Sequence, residues 1–233
     1  MRIALFGYGK MGKMIEQIAL DRGHEIVARI DVDHGDIDFS KMDVAIDFST
    51  PQAAYGNITK CIDHQTPIIS GTTGWLGDFD KVVERCKEKK GSFIYASNFS
   101  LGVNLFFELN AQLAKMMAGL QQYTVSMEEI HHTQKLDAPS GTAITLANGI
   151  IESTDYQGWK LESSNANEIP IKSVRKGQVP GTHTVTYHST VDDISICHTA
   201  HGREGFALGA VIAAEWIVGK TGVFTMKDVL NLG

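Results

Sequence analysis

Residues 2–12 read "RIALFGYGKMG", an apolar run that passes into three glycines and then into a helical pattern. The run "RIALF" is typical of a buried strand, and apolar residues at helical spacing follow over 10–23. The glycines are spaced Gly7-x-Gly9-x-x-Gly12, between the predicted strand and the predicted helix. In a dinucleotide fingerprint the first glycine makes a tight turn, the second lets the backbone approach a pyrophosphate, and the third lets helix and strand pack. The stretch therefore predicts the first unit of a nucleotide-binding sheet, with a ligand-free glycine-rich turn as the alternative.

An acidic residue stands where this fingerprint needs one. Asp31 ends the second predicted strand, "EIVARI" (25–30), 19 residues after the last fingerprint glycine. A carboxylate there can accept hydrogen bonds from the adenosine ribose, and it repels the 2′-phosphate of NADPH. Asp33 and His34 follow, so a second acid stands where an arginine would favour that phosphate, and Arg29 is expected to lie too far back to reach it. The sequence therefore predicts a dinucleotide site that favours a free ribose 2′-hydroxyl, as in NADH, over a 2′-phosphate, as in NADPH.

The first hundred residues alternate strands with helices, which favours a parallel sheet with right-handed crossovers. Further strands are predicted at 43–48, 67–70 and 92–96, and further helices at 52–63 and 78–90. Only about a dozen residues separate the second and third strands, and their sequence predicts a loop in place of a crossover helix.

The pattern changes after residue 103, where helices and strands no longer alternate regularly. Helices are predicted at 103–120 and 140–154, strands at 123–132, 182–191 and 193–200, and polar linkers between them at 155–181. This order predicts a second, α+β domain with an open mixed sheet. A helix at 205–220 is expected to return to the first domain, and Thr225 is a candidate cap for a final turn. The predicted organisation is an α/β, Rossmann-like dinucleotide-binding domain at 1–102 and 205–233 and a substrate-binding domain at 103–204.

Composition narrows the class of protein. The chain has 233 residues, 43% of them hydrophobic, and a net charge of −6 with no long basic run, so a nucleic-acid partner is not expected. No apolar stretch is long enough for a membrane span, and the N-terminal run is too short for a signal peptide. The three cysteines are widely spaced, which is typical of reduced thiols in a cytoplasmic protein.

A second block, "EEIHHTQKLDAPSGTA" at 128–143, carries chemistry of another kind. Two imidazoles end a predicted strand and point to opposite faces, an ammonium lies in the following loop, and a Ser-Gly-Thr turn opens a helix. A helix N-terminus binds anions, so the block predicts a site for a substrate that carries carboxylates. The candidate residues are His131, His132, Lys135, Ser140, Gly141 and Thr142.

Two other kinds of site are weighed against this interpretation. Adjacent histidines lack the spacing of metal ligands on a helix, and the distant His183, His188, His198 and His201 could join them only through folding, so no metal is expected. A serine hydrolase is not expected either, because the chain has no G-x-S-x-G elbow.

Further loops follow predicted strands, at the carboxyl ends where ligands bind in such sheets. "DFSTP" (47–51) and "GTTGW" (71–75) are two of them, and the glycine and two threonines of the second suit an amide or a ribose. Ordinary turn chemistry is the alternative for both. In "ASNFSLGVN" (96–104), Asn98 suits either a cofactor contact or a hinge.

Taken together, these blocks resemble the 4-hydroxy-tetrahydrodipicolinate reductase (dihydrodipicolinate reductase) family of lysine and diaminopimelate biosynthesis. The block at 128–143 is the most specific, and "GTTG", "SNFSLGVN" and "HTAHGREGFALGAVIAAEW" match further family blocks in the same order. The resemblance implies reduction of a cyclic, imine-containing dicarboxylate with NADH or NADPH in a homotetramer whose second-domain sheets pack together.

The resemblance also implies roles for individual residues. It makes His131 a proton donor and Lys135 a second acid or a stabilising cation, and it places the substrate against His132 and residues 140–142. The implied cofactor contacts are Gly7, Tyr8, Gly9, Lys10, Met11, Gly12, Asp31, Gly71, Thr72, Thr73, Ala96, Ser97, Asn98 and Phe99.

Two segments depart from the family pattern, the short loop after Asp31 and the compact stretch 155–181. They leave the cofactor preference and the details of the tetramer open. The alternatives are a related dehydrogenase of another small amino or dicarboxylic acid, such as aspartate or diaminopimelate, and a nucleotide-sensing module without turnover. A sensing module would have no use for His131 and Lys135.

Overall fold

A computed structural model describes residues 1–31, 37–162 and 165–232. They form two compact units, one of Met1–Leu101 with Glu204–Gly233 and the other of Gly102–Arg203. In the part of the chain that is described, no helix combines the length and the apolar character needed to cross a membrane.

The first unit is built on a sheet of six parallel strands. The strands are β1 (Arg2–Phe6), β2 (Glu25–Ile30), β3 (Val44–Asp47), β4 (Ile68–Ser70), β5 (Ser92–Tyr95) and β11 (Gly222–Phe224). They lie in the order β11-β5-β4-β3-β1-β2. Because β2 lies on one side of β1 and β3 on the other, the strand order reverses between β1 and β3. In sheets of this kind ligands bind outside the carboxyl ends of the strands, near such a point.

Helices cover both faces of this sheet. They are α1 (Lys10–Asp21), α2 (Pro51–Asp63), α3 (Phe79–Lys89), α6 (Glu204–Ile217) and α7 (Met226–Leu230). Helices α1 and α6 share one hydrophobic core with Ile3 and Leu5, whereas α2 and α3 share the other with Ala4 and Phe6. Because successive side chains of a strand point to opposite faces, β1 is buried on both sides, which explains its unbroken apolar run.

The second unit is built on a mixed sheet of five strands in the order β10-β9-β6-β8-β7. The strands are β6 (Thr124–His131), β7 (Gly158–Leu161), β8 (Glu168–Arg175), β9 (Gly181–His188) and β10 (Asp193–Ala200). Strands β6, β7 and β8 are parallel to one another, whereas β9 and β10 join by antiparallel pairing. Helices α4 (Leu101–Met117) and α5 (Gly141–Ile151) share a hydrophobic core with one face of this sheet. The predicted fold class, a Rossmann-like parallel sheet followed by an open mixed sheet, is confirmed.

The sequence interpretation was wrong about part of the second sheet. The segment 155–181 was predicted to be linker, but it contains β7 and the interior strand β8. Pro170 concealed β8, because proline is disfavoured inside a sheet. Pro170 pairs only with Lys160 of β7, because β6 pairs with β8 only from Ile171 onward. The proline therefore lies before the part of β8 that has a neighbouring strand on both sides.

Smaller differences concern ends and edges. Strand β11 was not predicted, although a last helix capped by Thr225 was, and that helix is α7, with Asp228 accepting hydrogen bonds from the Thr225 backbone and hydroxyl. Helix α4 runs over Leu101–Met117, not 103–120. The segment between β2 and β3 was predicted to lack a crossover helix, and its described part holds one 3-10 turn at Phe39–Lys41.

Candidate functional site

The fingerprint loop joins β1 to α1 by a turn that depends on two of its glycines. Gly7 has φ +89° and a side chain there would lie 2.2 Å from the Phe48 carbonyl oxygen. A side chain on Gly12 would lie 2.3 Å from the Gly7 carbonyl oxygen, so helix and turn pack backbone to backbone. Gly9, the N-cap of α1, has no atom within 4 Å of where its side chain would be. The loop therefore leaves open space at the position where the fingerprint admits a pyrophosphate.

A crevice of about 410 Å³ opens beside this loop in the first unit. Asp31 lies in its wall at the end of β2, so the structure brings together the acid and the glycines that the sequence singled out. The other lining residues are Gly7, Tyr8, Gly9, Ile30, Phe48, Ser49, Thr50, Ala53 and Asn57. The predicted contributions of Asp33 and His34 lie outside the described residues.

A buried carboxylate fixes the next two loops. Asp47 is fully buried and accepts hydrogen bonds from the hydroxyls of Ser70 (2.8 Å) and Thr72 (2.7 Å) through one oxygen. Its other oxygen accepts from the Ser49 hydroxyl (2.6 Å) and the Asn57 amide (3.0 Å). This network sets the shape of the crevice wall formed by Ser49 and Asn57.

The predicted ligand residues of the 71–75 loop differ in whether they are packed or hydrogen-bonded within the protein or exposed to a ligand. The Thr72 hydroxyl donates to Asp47 and accepts from the Ser49 backbone (2.9 Å), so it is committed within the protein. Gly71 is needed because a side chain there would meet the Phe48 ring at 2.3 Å. Thr73 is exposed, which leaves it as the side chain of this loop most accessible to a ligand.

The segment 96–99 also separates into structural and accessible parts. Phe99 is 1% exposed and belongs to the core, so only its backbone can serve a ligand. Asn98 accepts a hydrogen bond from the Ser100 backbone (2.8 Å), which holds a turn. Ser97 is exposed and Ala96 is half-buried.

In the second unit, the inward side of β6 leads from the core into a polar cluster. Val125 and Met127 face the core, and Glu129 and His131 continue the same side of the strand. His131 Nδ1 lies 3.6 Å from Glu129 Oε2, and His183 Nε2 from β9 lies 3.7 Å from the same oxygen. The two imidazole rings meet edge to face with centroids 5.0 Å apart. We call Glu129, His131, His183, Ser140 and Arg175 the β6 cluster.

Glu129 ties this cluster to the N-terminus of α5. Its Oε2 accepts a hydrogen bond from the Ser140 backbone (3.0 Å). The Ser140 hydroxyl accepts from the Ala143 backbone (3.2 Å), which confirms Ser140 as the N-cap, and it also lies 3.0 Å from His183 Nε2. Ser140 is buried, whereas Gly141 is exposed and Thr142 half-buried, so the open side of this helix end is formed by residues 141–142.

Arg175 and Asp137 hold the loop that carries Lys135. The Arg175 guanidinium donates to the carbonyls of Lys135 (3.2 Å) and Asp137 (2.7 Å) and lies 3.3 Å from Glu129 Oε1. Lys135 Nζ lies 2.8 Å from both carboxylate oxygens of Asp137. The Lys135 side chain is 21% exposed and that of Asp137 is 62% exposed, so this ion pair is open to a competing anion.

Burial and charge shift the protonation of the cluster. Burial alone raises the pKa of Glu129, but His183 and the hydrogen bonds from Ser140 and Ser173 outweigh it and hold the pKa well below its usual range. Burial lowers the pKa of His131 to about 4; the Glu129 charge opposes this, and Lys135 and Arg175 reinforce it. In this state Glu129 is ionised and His131 is neutral at pH 7.

The two adjacent histidines differ in how their Nδ1 atoms are placed. Nδ1 of His131 and Nδ1 of His132 are buried and make no hydrogen bond within the described residues. Buried polar atoms are nearly always hydrogen-bonded. The His131 nitrogen faces Glu129 Oε2 at 3.6 Å, whereas the His132 nitrogen is suited to a polar ligand.

Ligand atoms of Glu129, His131 and His183 lie within 4.8 Å of one another, which is close enough to share a metal ion. However, Glu129 already accepts hydrogen bonds from Ser140 and Ser173 (2.9 Å), and the Arg175 cation lies against it. A dication there would displace those donors and meet a fixed positive charge, so the arrangement favours a hydrogen-bonded cluster.

Of the predicted residues of the 128–143 block, the structure joins His131 and Ser140 through Glu129, and Lys135 lies in the loop held by Arg175; the His132 side chain makes no described contact with this cluster. Four residues of this site were not predicted. Glu129 was detectable, because strand alternation places it on the same side as His131. Ser173, Arg175 and His183 come from β8 and β9, and no local sequence signal marks them.

Comparison with known proteins identifies the family. Residues 1–99 match the family model described as dihydrodipicolinate reductase, N-terminus, and residues 102–230 match that of dihydrodipicolinate reductase, C-terminus. The chain belongs to the dihydrodipicolinate reductase family. The predicted family is thus confirmed over nearly the whole chain.

Individual members and fold neighbours agree. The chain is 58% identical over 99% of its length to the 4-hydroxy-tetrahydrodipicolinate reductase of Christiangramia forsetii, of which it covers 98%. A dipicolinate-bound dihydrodipicolinate reductase from Paenisporosarcina shares the fold, with a TM-score of 0.77 and 23% identity over 96% of this chain and 97% of that one. An aspartate dehydrogenase from Thermotoga maritima has a TM-score of 0.51 and 12% identity over 96% of this chain and 99% of that one, so dehydrogenases with other substrates share this architecture.

Proposed function

We propose that this protein reduces 4-hydroxy-tetrahydrodipicolinate, or the dihydrodipicolinate formed from it by loss of water, to tetrahydrodipicolinate with NAD(P)H in lysine and diaminopimelate biosynthesis. The observation that carries the proposal is the β6 cluster with Lys135 and the N-terminus of α5, in a chain 58% identical throughout to a named reductase. In this proposal the first unit, together with its returning helix α6, binds the dinucleotide, and the second unit binds the substrate.

Each group of the second unit has a role in this reaction. A bound nicotinamide supplies the hydride, and hydride addition to a conjugated imine leaves negative charge that a proton must quench. His131 donates that proton, and Lys135 stabilises the charge or acts as the second acid. His132, the exposed Gly141 and the half-buried Thr142 hold a carboxylate at the N-terminus of α5, which is itself electropositive.

The neutral state of His131 fits a substrate-dependent acid. A bound dianion places negative charge beside the imidazole, which raises the pKa of His131 from its value of about 4 in the ligand-free protein. Lys135 then exchanges Asp137 for a substrate carboxylate, which its partial exposure permits.

The cofactor is proposed to lie along the crevice of the first unit. Gly9 and the start of α1 would hold its pyrophosphate, flanked by Lys10 and Met11, and Asp31 would hold its adenosine ribose. The exposed Thr73 and Ser97 would serve the nicotinamide half. Because a carboxylate at Asp31 accepts from a ribose hydroxyl and repels a 2′-phosphate, NADH is preferred to NADPH.

The protein is further proposed to be a cytoplasmic homotetramer. All three cysteines lie within the described residues and none is paired, as expected for a reducing compartment. One face of the mixed sheet packs on α4 and α5, whereas the other presents side chains such as Glu128, Lys172 and Thr186 around an open groove. That face is the surface through which copies would associate, and light scattering coupled to gel filtration measures the assembly.

The reaction is tested by following NAD(P)H oxidation at 340 nm with enzymatically generated substrate. Turnover that requires the substrate and is inhibited by 2,6-pyridinedicarboxylate is expected. NADH binding without turnover would instead support a nucleotide-sensing module, and turnover with aspartate or diaminopimelate would support another dehydrogenase.

The preference is tested by comparing kcat/KM for NADH and NADPH at one pH and ionic strength. A higher value for NADH is expected. A clear advantage of NADPH would show that a cation reaches the 2′-phosphate.

A further inference from the structure

Three side chains form an ion-paired group beside the adenosine end of the crevice. Arg29 Nε on β2 donates to Glu16 Oε1 on α1 at 2.9 Å, and Arg29 Nη2 donates to the same oxygen. The Tyr8 hydroxyl donates to the other oxygen, Glu16 Oε2. The Arg29 guanidinium also lies over the Tyr8 ring, 5.7 Å from its centroid.

This group borders the crevice directly. Tyr8 and Asp31 line it, and Arg29 lies on β2 two residues before Asp31. The Arg29 side chain is 43% exposed and its guanidinium lies over Tyr8, a residue of the crevice wall, whereas the Glu16 side chain is only 13% exposed. An accessible arginine beside an adenosine site is the residue type that recognises a 2′-phosphate.

Glu16 occupies the Arg29 guanidinium by an ion pair. Its carboxylate takes two donors of the guanidinium, and the pairing lowers the pKa of Glu16 and raises that of Arg29. A phosphate would have to displace a partly buried carboxylate that also accepts from Tyr8. Lys13 Nζ, 5.9 Å from the Tyr8 ring centroid, remains as a second nearby cation.

We propose that Glu16 is a specificity-determining residue, which holds Arg29 against Tyr8 and thereby withholds the guanidinium from the 2′-phosphate of NADPH. The inference rests on the proposed dinucleotide site. It differs from the argument on Asp31, which repels the phosphate directly, because Glu16 acts through Arg29. It also replaces the expectation that Arg29 lies too far back to reach the phosphate, since in this inference the pairing with Glu16 is what holds the guanidinium away.

The test is a double-mutant cycle on the full chain, with NADH and NADPH titrated by nicotinamide fluorescence. Glu16→Gln keeps the size of the side chain and removes its charge, so it is expected to tighten NADPH binding about tenfold, the effect of one charge-assisted hydrogen bond, while NADH changes less than about twofold. Arg29→Gln alone is expected to change NADPH affinity little. In Glu16→Gln/Arg29→Gln the gain should disappear, because it depends on the released guanidinium.

A matched control breaks a similar ion pair elsewhere in the same unit. Asp63→Asn disrupts the pair of Arg85 with Asp63 (2.6 Å), at the end of α2 remote from the crevice, and should leave the NADPH/NADH ratio unchanged. Thermal unfolding of each variant reports whether it is folded. If Glu16→Gln does not fold, Glu16→Asp provides a variant that retains the charge.

The outcomes are distinct. If the wild type binds neither NADH nor NADPH, the proposed function fails and this inference with it. If the wild type binds NADH but Glu16→Gln gains no NADPH affinity, or the double variant keeps the gain, only the role of Glu16 is overturned. A threefold or greater loss of NADPH affinity in Arg29→Gln alone would show that Arg29 already serves the phosphate, and would also overturn it.

Discussion

Lys135 is the residue whose charge is most available to a substrate. Its ammonium is held by Asp137, an exposed carboxylate, whereas the neighbouring Arg175 is committed to two carbonyls and to Glu129. Lys135→Ala is expected to lower kcat roughly 100- to 10 000-fold, because a positioned acid or cation is lost, with NADH affinity nearly unchanged. Lys81→Ala, which removes an exposed lysine paired with Asp78 (2.7 Å) in the first unit, is the control and should have normal kinetics. Near-normal turnover of Lys135→Ala would remove it from the catalytic site.

His131 gives a second prediction for a single residue. Burial lowers its pKa to about 4, and a bound dicarboxylate raises it, so ligand binding at pH 7 should take up a proton. Calorimetry of 2,6-pyridinedicarboxylate in two buffers of different ionisation enthalpy measures that uptake, which should be lost in His131→Asn and kept in His188→Gln, an exposed histidine. Equal uptake in His131→Asn would assign the proton to another group.

At the scale of elements, the turn from β1 to α1 has no room for a side chain at Gly12. An alanine there would meet the Gly7 carbonyl at 2.3 Å, and that atom is backbone. Gly12→Ala is therefore expected to lower the free energy of unfolding by about 1–3 kcal/mol and to weaken NADH binding. Gly56→Ala, within α2 and with no atom within 4 Å, should instead stabilise by about 0.5–1 kcal/mol. Urea unfolding compares the two variants, and the same sign for both would contradict the packing argument.

The N-terminus of α5 is the other element with a direct role. Ser140 caps the helix and is buried, so a substrate carboxylate is left with the Thr142 hydroxyl and the open backbone. Thr142→Val should raise KM for the substrate and weaken the binding of 2,6-pyridinedicarboxylate by about 1–2 kcal/mol. The loss should be partial because the N-terminus of the helix remains. Thr154→Val removes a hydroxyl that donates to Ile150 O (2.8 Å) after the other end of α5, and should leave both values unchanged. Unaltered inhibitor affinity in Thr142→Val would exclude a contact with the hydroxyl.

For the whole molecule, the β6 cluster makes stability depend on pH. The folded-state pKa of His131, about 4, lies below its unfolded value, so its contribution is complete above pH 6.5 and is lost as the pH falls toward 4. The pKa of Glu129 is also depressed, so its contribution is present above pH 4.5 and is lost in more acidic solution. Between pH 7 and pH 5, protonation of His131 alone should lower the free energy of unfolding by about 2 kcal/mol. Urea unfolding at each pH measures this, with a flatter profile expected for His131→Asn than for His188→Gln; parallel profiles would show that His131 is not held neutral.

Most of the fold was predictable from sequence because its signals are local. The run 2–6, the glycines that follow and the helical spacing over 10–23 lie within one strand–helix unit, and each residue reports its own environment. The interior strand β8 was missed, because Pro170 contradicts the strand pattern locally and is accommodated only by the register of its neighbours.

The sequence by itself determined the family, the division into two sheets and the candidate residues of the 128–143 block, since these depend on short-range spacing. Only the tertiary structure decided how those residues are held. Glu129 contacts Ser173, Arg175 and His183, which lie on β8 and β9 more than 40 positions away in the chain. It also decided that the Thr72 hydroxyl and the Phe99 side chain serve the protein's interior, and that Arg29 is paired with Glu16. The physical reason is that the burial of a group and its hydrogen-bond partners are set by strand register and helix packing, which residues distant in the chain determine together.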